Sequence, residues 1–290
     1  MANQSAQTAY GPMSAVAVEQ NAPEGQRLVQ DALAIRFLPP IIKPIVILTR
    51  WPSARVLMIT LSDKRGRGVW GGVLCRKRYI DDKLLEAVRA GLDAVVNLGA
   101  GLDTRAYRLP ALSLMPVFEL DFPENIEYKK AKLQQLFGGV PSHVTLVPID
   151  FDSQDLGDVL ASYGYRVTYK SCFIMEAVTQ YLSEDGIQNT FRFLAQAKTG
   201  SRLVFTYICK DFIDGTDSYG LQALYEAYRV KTHLWHFGFA PQQVAAFLEQ
   251  YAWKELEQVG SHEYTSRYLN PIGRAMSVLE IERAVYGEKL

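Results

Sequence analysis

The chain has 290 residues, enough for one large domain with a core on both faces of a sheet. Lys plus Arg equals Asp plus Glu at 31 each, so no net field points to a nucleic acid or another polyanion as partner. The first 25 residues are small and polar, and the early apolar run from Phe37 to Leu48 is broken by Pro39, Pro40 and Pro44. Neither a secretory signal nor a membrane partner is expected, and the reading is a cytoplasmic protein. Cys75, Cys172 and Cys209 do not pair evenly and show no metal spacing, so buried free thiols in a reducing compartment are expected.

Residues 1–23 read as loosely attached. Leu28, Ala32, Ile35 and Phe37 allow an amphipathic helix over 24–38, stopped by Pro39-Pro40. Another helical piece covers 45–61, and a loop rich in Gly and basic residues follows over 64–72. With no convincing strand, residues 1–75 are expected to form a helical cap on a main domain over 76–290. A helix over 79–90 carries Ile80, Leu84, Leu85 and Val88 on one face and is closed by Gly91.

Strand and helix then alternate. Strands are expected at 94–98, 115–120, 143–149, 166–175 and 201–208, with helices from Pro123, over 153–163 and over 183–198. An aromatic-rich insertion covers 210–239, a helix 241–251, and two last strands lie near 254–260 and 276–286. The alternation predicts an α/β fold, a doubly wound and mostly parallel seven-stranded sheet whose last pair is antiparallel.

The stretch from Ala94 to Leu109 organises the rest. An apolar strand enters a turn with Gly99 and Gly101 one residue apart, then leaves through Asp103-Thr104. Open α/β sheets bind ligands outside the carboxyl ends of their strands, and glycine lets backbone come close to a ligand. Asp121, at the end of the second strand, stands where an acidic group accepts from ribose hydroxyls. The third glycine of a dinucleotide fingerprint is replaced by Thr104, so a ribosylated ligand without diphosphate fits better, S-adenosyl-L-methionine above all. An NAD(P)-dependent oxidoreductase and a non-catalytic adenosyl-ligand binding protein are the alternatives. Asp150 and Phe151 end the third strand, where a carboxylate can accept from an adenine amino group and a ring can pack on the base. The other reading of Asp150 is a helix N-cap.

The block Asn97-Leu98-Gly99-Ala100-Gly101-Leu102-Asp103-Thr104-Arg105 resembles the first motif of the leucine carboxyl methyltransferase family, which has a polyketide and natural-product O-methyltransferase branch. Three further blocks agree: Arg76 to Asp82, Glu119 to Pro123, and Phe173 to Val178 with Tyr181-Leu182. One departure is Ala177, where relatives often carry Gly after the fourth-strand glutamate. The resemblance implies a class I, Rossmann-like methyltransferase fold with S-adenosyl-L-methionine as cofactor. It implies that Gly99 and Gly101 pass the methionine moiety, Asp121 holds the ribose, and Asp150 with Phe151 holds the adenine. Glu176 would lie near the cofactor's amino group and Arg78, or failing that Arg76, would reach its carboxylate. The alternative for Arg76, Lys77 and Arg78 is a solvated basic turn, and for Glu176 a buried carboxylate satisfied by backbone.

The expected activity is O-methylation of a small-molecule carboxylate or acidic hydroxyl, with a planar natural product favoured by the aromatic insertion. A carboxylate is already ionised, whereas a phenol or enol gains from a base. Tyr207, His233 and His236 are the candidate catalytic or acceptor-contacting residues; His143 is expected to be structural. Tyr219, Tyr225, Tyr228, Trp235, Phe237 and Phe239 line an acceptor pocket or form ordinary core.

Overall fold

A computed structural model describes residues 9–290. The strands are β1 (Ala94–Leu98), β2 (Val117–Asp121), β3 (Val144–Pro148), β4 (Ser171–Met175), β5 (Arg202–Ile208), β6 (Trp253–Val259) and β7 (Glu282–Lys289). They form one sheet in the order β3-β2-β1-β4-β5-β7-β6. β1 to β5 run parallel, and β7 lies antiparallel between β5 and β6. The doubly wound architecture read from the sequence is therefore the one observed.

β1, β2 and β4 are buried at every position, as parallel strands covered on both faces must be. Alternate residues serve two cores. Val95, Val117, Cys172 and Val204 face one side, while Val96, Phe118, Phe173, Phe205 and Tyr207 face the other. The chain leaves β1 toward β2 and β3, then returns to place β4 and β5 on its other flank. This opens a crevice at the strand tips between β1 and β4.

The helices used below are α1 (Tyr10–Glu19), α2 (Lys43–Leu48), α3 (Pro52–Arg65), α4 (Val69–Arg89), α5 (Pro123–Phe137), α6 (Leu156–Ser162), α7 (Glu184–Leu194) and α8 (Val244–Glu249). Pro123 and Ser183 start α5 and α7 as expected, the Ser183 hydroxyl accepting from the Gly186 N–H at 3.0 Å. All three cysteines are free and buried, and burial pushes the Cys75 and Cys172 thiols up to about 12.

The N-terminal third differs most from expectation. Within the stretch read as loosely attached, residues 10–19 form α1, packed into the core through Val16 and Val18; residues 1–8 lie outside the described part. No long helix covers 24–38. Glu19 accepts from the Leu28 N–H at 2.7 Å and Gln20 from the Asp31 N–H at 3.0 Å, and Asp31 in turn caps Leu33 and Ala34. These side chains take donors that a helical ladder needs, leaving single turns at Glu24–Gln26 and Ala34–Phe37. The 45–61 piece is two helices, α2 and α3, separated before Pro52.

The glycine-rich loop is shorter than expected: residues 64–65 end α3, and 69–72 belong to α4, which starts at Val69, ten residues early. Gly71 sits inside the helix because the segment before β7 crosses it; a Cβ there would lie 2.1 Å from the Ser277 carbonyl oxygen. β7 begins at residue 282, later than the 276 expected. A domain boundary after 75 would cut α4, and the N-terminal helices share a core with the sheet.

Candidate active site

Two cavities meet at the tips of β1 and β4. The first, of about 300 Å³, is lined by the turn after β1, the end of β2 and the residues following β3 and β4. Gly99 and Gly101 form its wall with φ of 69° and 43°, left-handed values that a glycine adopts without strain. The Gly101 N–H donates to Asp121 Oδ2 at 2.5 Å, while Oδ1 accepts from the Phe122 N–H at 2.7 Å and from Asn125 Nδ2 at 2.6 Å. Burial pushes the Asp121 carboxyl up, against those three donors. Phe151 is buried in the wall of this cavity.

The opposite end of this cavity is ionic. Glu176, just past β4, binds three cations: Arg105 Nη1 at 2.7 Å, Arg76 Nε at 3.0 Å and Lys77 Nζ at 3.1 Å. Burial raises its carboxyl, but Lys77, Arg105 and Arg76 outweigh this and hold it well below the usual range. Arg105 is locked further by Asp103 and by Asp81 at 2.6 Å, so the floor is a fixed lattice of alternating charges. Lys77 donates only to Glu176 among the described residues, which leaves ammonium protons for a ligand.

The second cavity is larger, about 650 Å³, and mostly apolar. Its walls come from α1, α2, α3, the start of α4 and the insertion after β5. Leu57 and Leu61 of α3 and Ile45 and Leu48 of α2 face it, and α3 buries none of its residues. Pro12, Arg76, Ala177 and Tyr181 line both cavities and mark where they join. Ala177 holds φ at 54°, a left-handed conformation that glycine adopts with less strain. Trp70 Nε1, Trp235 Nε1 and Gln180 Oε1, on residues of this wall, are buried without a partner among the described residues. Arg76 Nη1 donates to both oxygens of Glu282, at 2.7 and 2.8 Å.

The structure brings Gly99, Gly101, Asp121, Phe151, Glu176 and His236 to the first cavity. It places four expected residues elsewhere. Arg78 points outward to Asp82 at 2.9 Å and the Leu28 carbonyl, and Arg76 and Lys77 take the inner face. The phase of α4 accounts for this, since Ile80 lies on the buried stripe and residues three and four earlier are Lys77 and Arg76. The signal in the sequence is the same apolar stripe continued back past Tyr79. Asp150 turns to its own loop, accepting from the Asp152 N–H at 3.1 Å, and Asp152 lines the cavity instead.

Tyr207 is fully buried and donates to Gln258, because it follows Phe205 by two and shares its core-facing side. His233 is exposed at φ 50° and outside both cavities. His143 contacts the Ala106 carbonyl oxygen at 2.9 Å, a structural place as expected. Of the aromatic series, Tyr228 and Trp235 stack at 4.6 Å in the wall of the second cavity, whereas Phe239 packs in the core.

Comparison with known proteins adds the family. The leucine carboxyl methyltransferase family matches residues 9–195. A Mycobacterium avium (strain 104) protein bearing the name of an S-adenosyl-L-methionine-dependent methyltransferase is 35% identical over 138 residues, 47% of this chain and 46% of its own. One from Streptomyces coelicolor, named likewise, is 31% identical over 158 residues, 54% of this chain and 56% of its own. The chain thus spans about half the length of the curated relatives it matches. A crystal structure assigned as a methyltransferase from Thermobifida fusca YX shares the fold, with a TM-score of 0.55 at 16% identity over 81% of this chain and 88% of that one.

Proposed function

Because the chain belongs to the leucine carboxyl methyltransferase family, with S-adenosyl-L-methionine as its cofactor, we propose that it methylates an oxygen of a small apolar acceptor, a carboxylate or an acidic hydroxyl. The observation that carries this reading is the pair of joined cavities, one polar and ionic at the strand tips, the other apolar and of a size for a small molecule.

The residues present fit the cofactor. Asp121 keeps an open lone pair on Oδ2 for ribose hydroxyls, and Phe151 offers a ring to adenine, with Asp152 in the place expected of Asp150. Lys77 and Arg76 suit a carboxylate, and Glu176 suits an ammonium. When bound, the cofactor supplies a methyl group on a sulfonium, with a neutral thioether as leaving group. The protein's part is to align the acceptor at the Arg76–Ala177–Tyr181 junction and keep water out, with Pro12 covering the seam. An already ionised carboxylate would need no base there.

A dinucleotide loses support at one atom. The helix start that would bind a diphosphate is filled by Asp103, whose Oδ1 accepts from the Arg105 N–H at 2.7 Å. Calorimetry should give binding of S-adenosylhomocysteine and none of NAD. Labelled methyl transfer from S-adenosyl-L-methionine to aromatic acids and phenols, with carboxyl-terminal peptides alongside, should give product with the small molecules. Transfer to peptides alone, or to nothing while the cofactor binds, overturns the small-acceptor reading.

A further inference from the structure

We infer that Glu282 reads the acceptor and takes its proton, so that the acceptor is a neutral hydroxyl compound, a phenol or enol, rather than a carboxylate. This rests on the two-cavity reading above and narrows its acceptor class. Glu282 opens β7 and lies outside residues 9–195, so the family match assigns it nothing.

Three observations converge. Among the described residues Glu282 is the only carboxylate lining the second cavity; the other charged lining residues are Arg65, on the last turn of α3, and Arg76. Arg65, at the C-terminal end of α3, is not among the residues that the two cavities share. Glu282 is held at the junction itself, both oxygens on Arg76 Nη1 while Arg76 Nε holds Glu176. Glu176 also has Lys77 and Arg105, so Arg76 is the cation that holds Glu282, whose carboxylate is the acidic group on the acceptor side of the junction.

A carboxylate acceptor would bring a second anion against Glu282, and like charges out of water repel strongly. A hydroxyl brings a donor instead. In the reaction the acceptor oxygen's lone pair forms the new O–C bond and the S–C bonding pair returns to sulfur, neutralising the sulfonium. The hydroxyl proton passes to the Glu282 carboxylate and from there to solvent. His233 and His236 are not needed for this step.

The test uses the full chain saturated with S-adenosylhomocysteine and the matched probes 2-naphthol and 2-naphthoate. The wild type should bind the naphthol at least about tenfold more tightly. Glu282→Gln should bring the two within about threefold, mainly by gaining naphthoate, while Glu282→Asp keeps the preference. Affinity for S-adenosylhomocysteine should change by less than about threefold in Glu282→Gln; a purely structural role, felt through Arg76, would move that affinity instead. Labelled methyl transfer to 2-naphthol should fall about 100-fold in Glu282→Gln. Naphthoate bound as tightly as naphthol by the wild type overturns the inference, as does an unchanged ratio in Glu282→Gln or binding of neither probe. Failure of S-adenosylhomocysteine itself to bind is a separate result, and removes the cofactor reading first.

Discussion

The two cavities are built from different material. The one at the strand tips rests on β1, β2 and β4, which are buried throughout, and its ionic end is fixed by Glu176, Arg76, Lys77 and Arg105 in mutual contact. The apolar one is walled in part by α2 and α3, and α3 buries no residue; Leu57 lines the cavity and is 59% exposed. A site that meets one unvarying ligand can be part of the rigid core. A site that admits a bulky acceptor leaves apolar side chains uncovered until the acceptor arrives, so its stability comes from the ligand rather than from the fold.

The largest test of this contrast is Glu176→Gln. Removing that charge leaves buried Lys77 without its partner and takes one anion from Arg76 and Arg105, and unfolding by denaturant should show a loss of about 3–5 kcal/mol. The pH dependence follows from the same ions. Glu176 is held below the ordinary 4.5 in the fold, so its ionised form stabilises above that pH and the stabilisation is lost as pH falls below it. Glu176→Gln should lack that share of acid sensitivity. Next is Asp121→Ala, which should weaken S-adenosylhomocysteine binding at least about tenfold by calorimetry, equivalent to about 1.4 kcal/mol. If either variant behaves like a surface substitution, the strand-tip cavity is not the rigid partner in the comparison.

What could be read in the sequence follows the same division. The strand tips were legible because their signals are local. An apolar run followed by Gly99 and Gly101, and Asp121 twenty residues on, specify a turn and the carboxylate that meets it, and the two touch. Arg76 and Arg78 are told apart by the phase of α4, which a helix starting at residue 79 does not reveal. The second cavity was largely illegible, because it joins α1, α3, the start of α4 and the approach to β7, bringing Pro12, Leu57, Trp70 and Leu279 together from distant parts of the chain. Glu282 carries no motif and reaches Arg76 from 206 residues away. Residues 24–38 misled for another reason: their apolar spacing fits a helix, but Glu19, Gln20 and Asp31 take the backbone donors.

The apolar side offers a smaller and opposite test. Leu57→Asn should leave stability within about 0.5 kcal/mol, because no core contact is lost, yet weaken 2-naphthol about fivefold. A loss of stability comparable to a core leucine would mean that α3 is part of the rigid body.

The smallest effect belongs to the seam. Ala177 lines both cavities with φ at 54°, a left-handed conformation that disfavours a Cβ by roughly 1–2 kcal/mol. Ala177→Gly relieves that strain but loosens the unfolded chain by roughly 0.4–1 kcal/mol, so denaturant midpoints should rise slightly or stay put. The backbone there is tied by its N–H to Thr206 Oγ1 at 2.8 Å, so the turn should keep its shape and S-adenosylhomocysteine its affinity. What Ala177→Gly removes is a methyl group at the junction, and acceptor selectivity is where it should register: the naphthol-over-naphthoate preference should persist while bulkier hydroxy-aromatics gain. A destabilised Ala177→Gly would show instead that the methyl is packed on both sides, and that the two cavities are less open to one another than their shared wall implies.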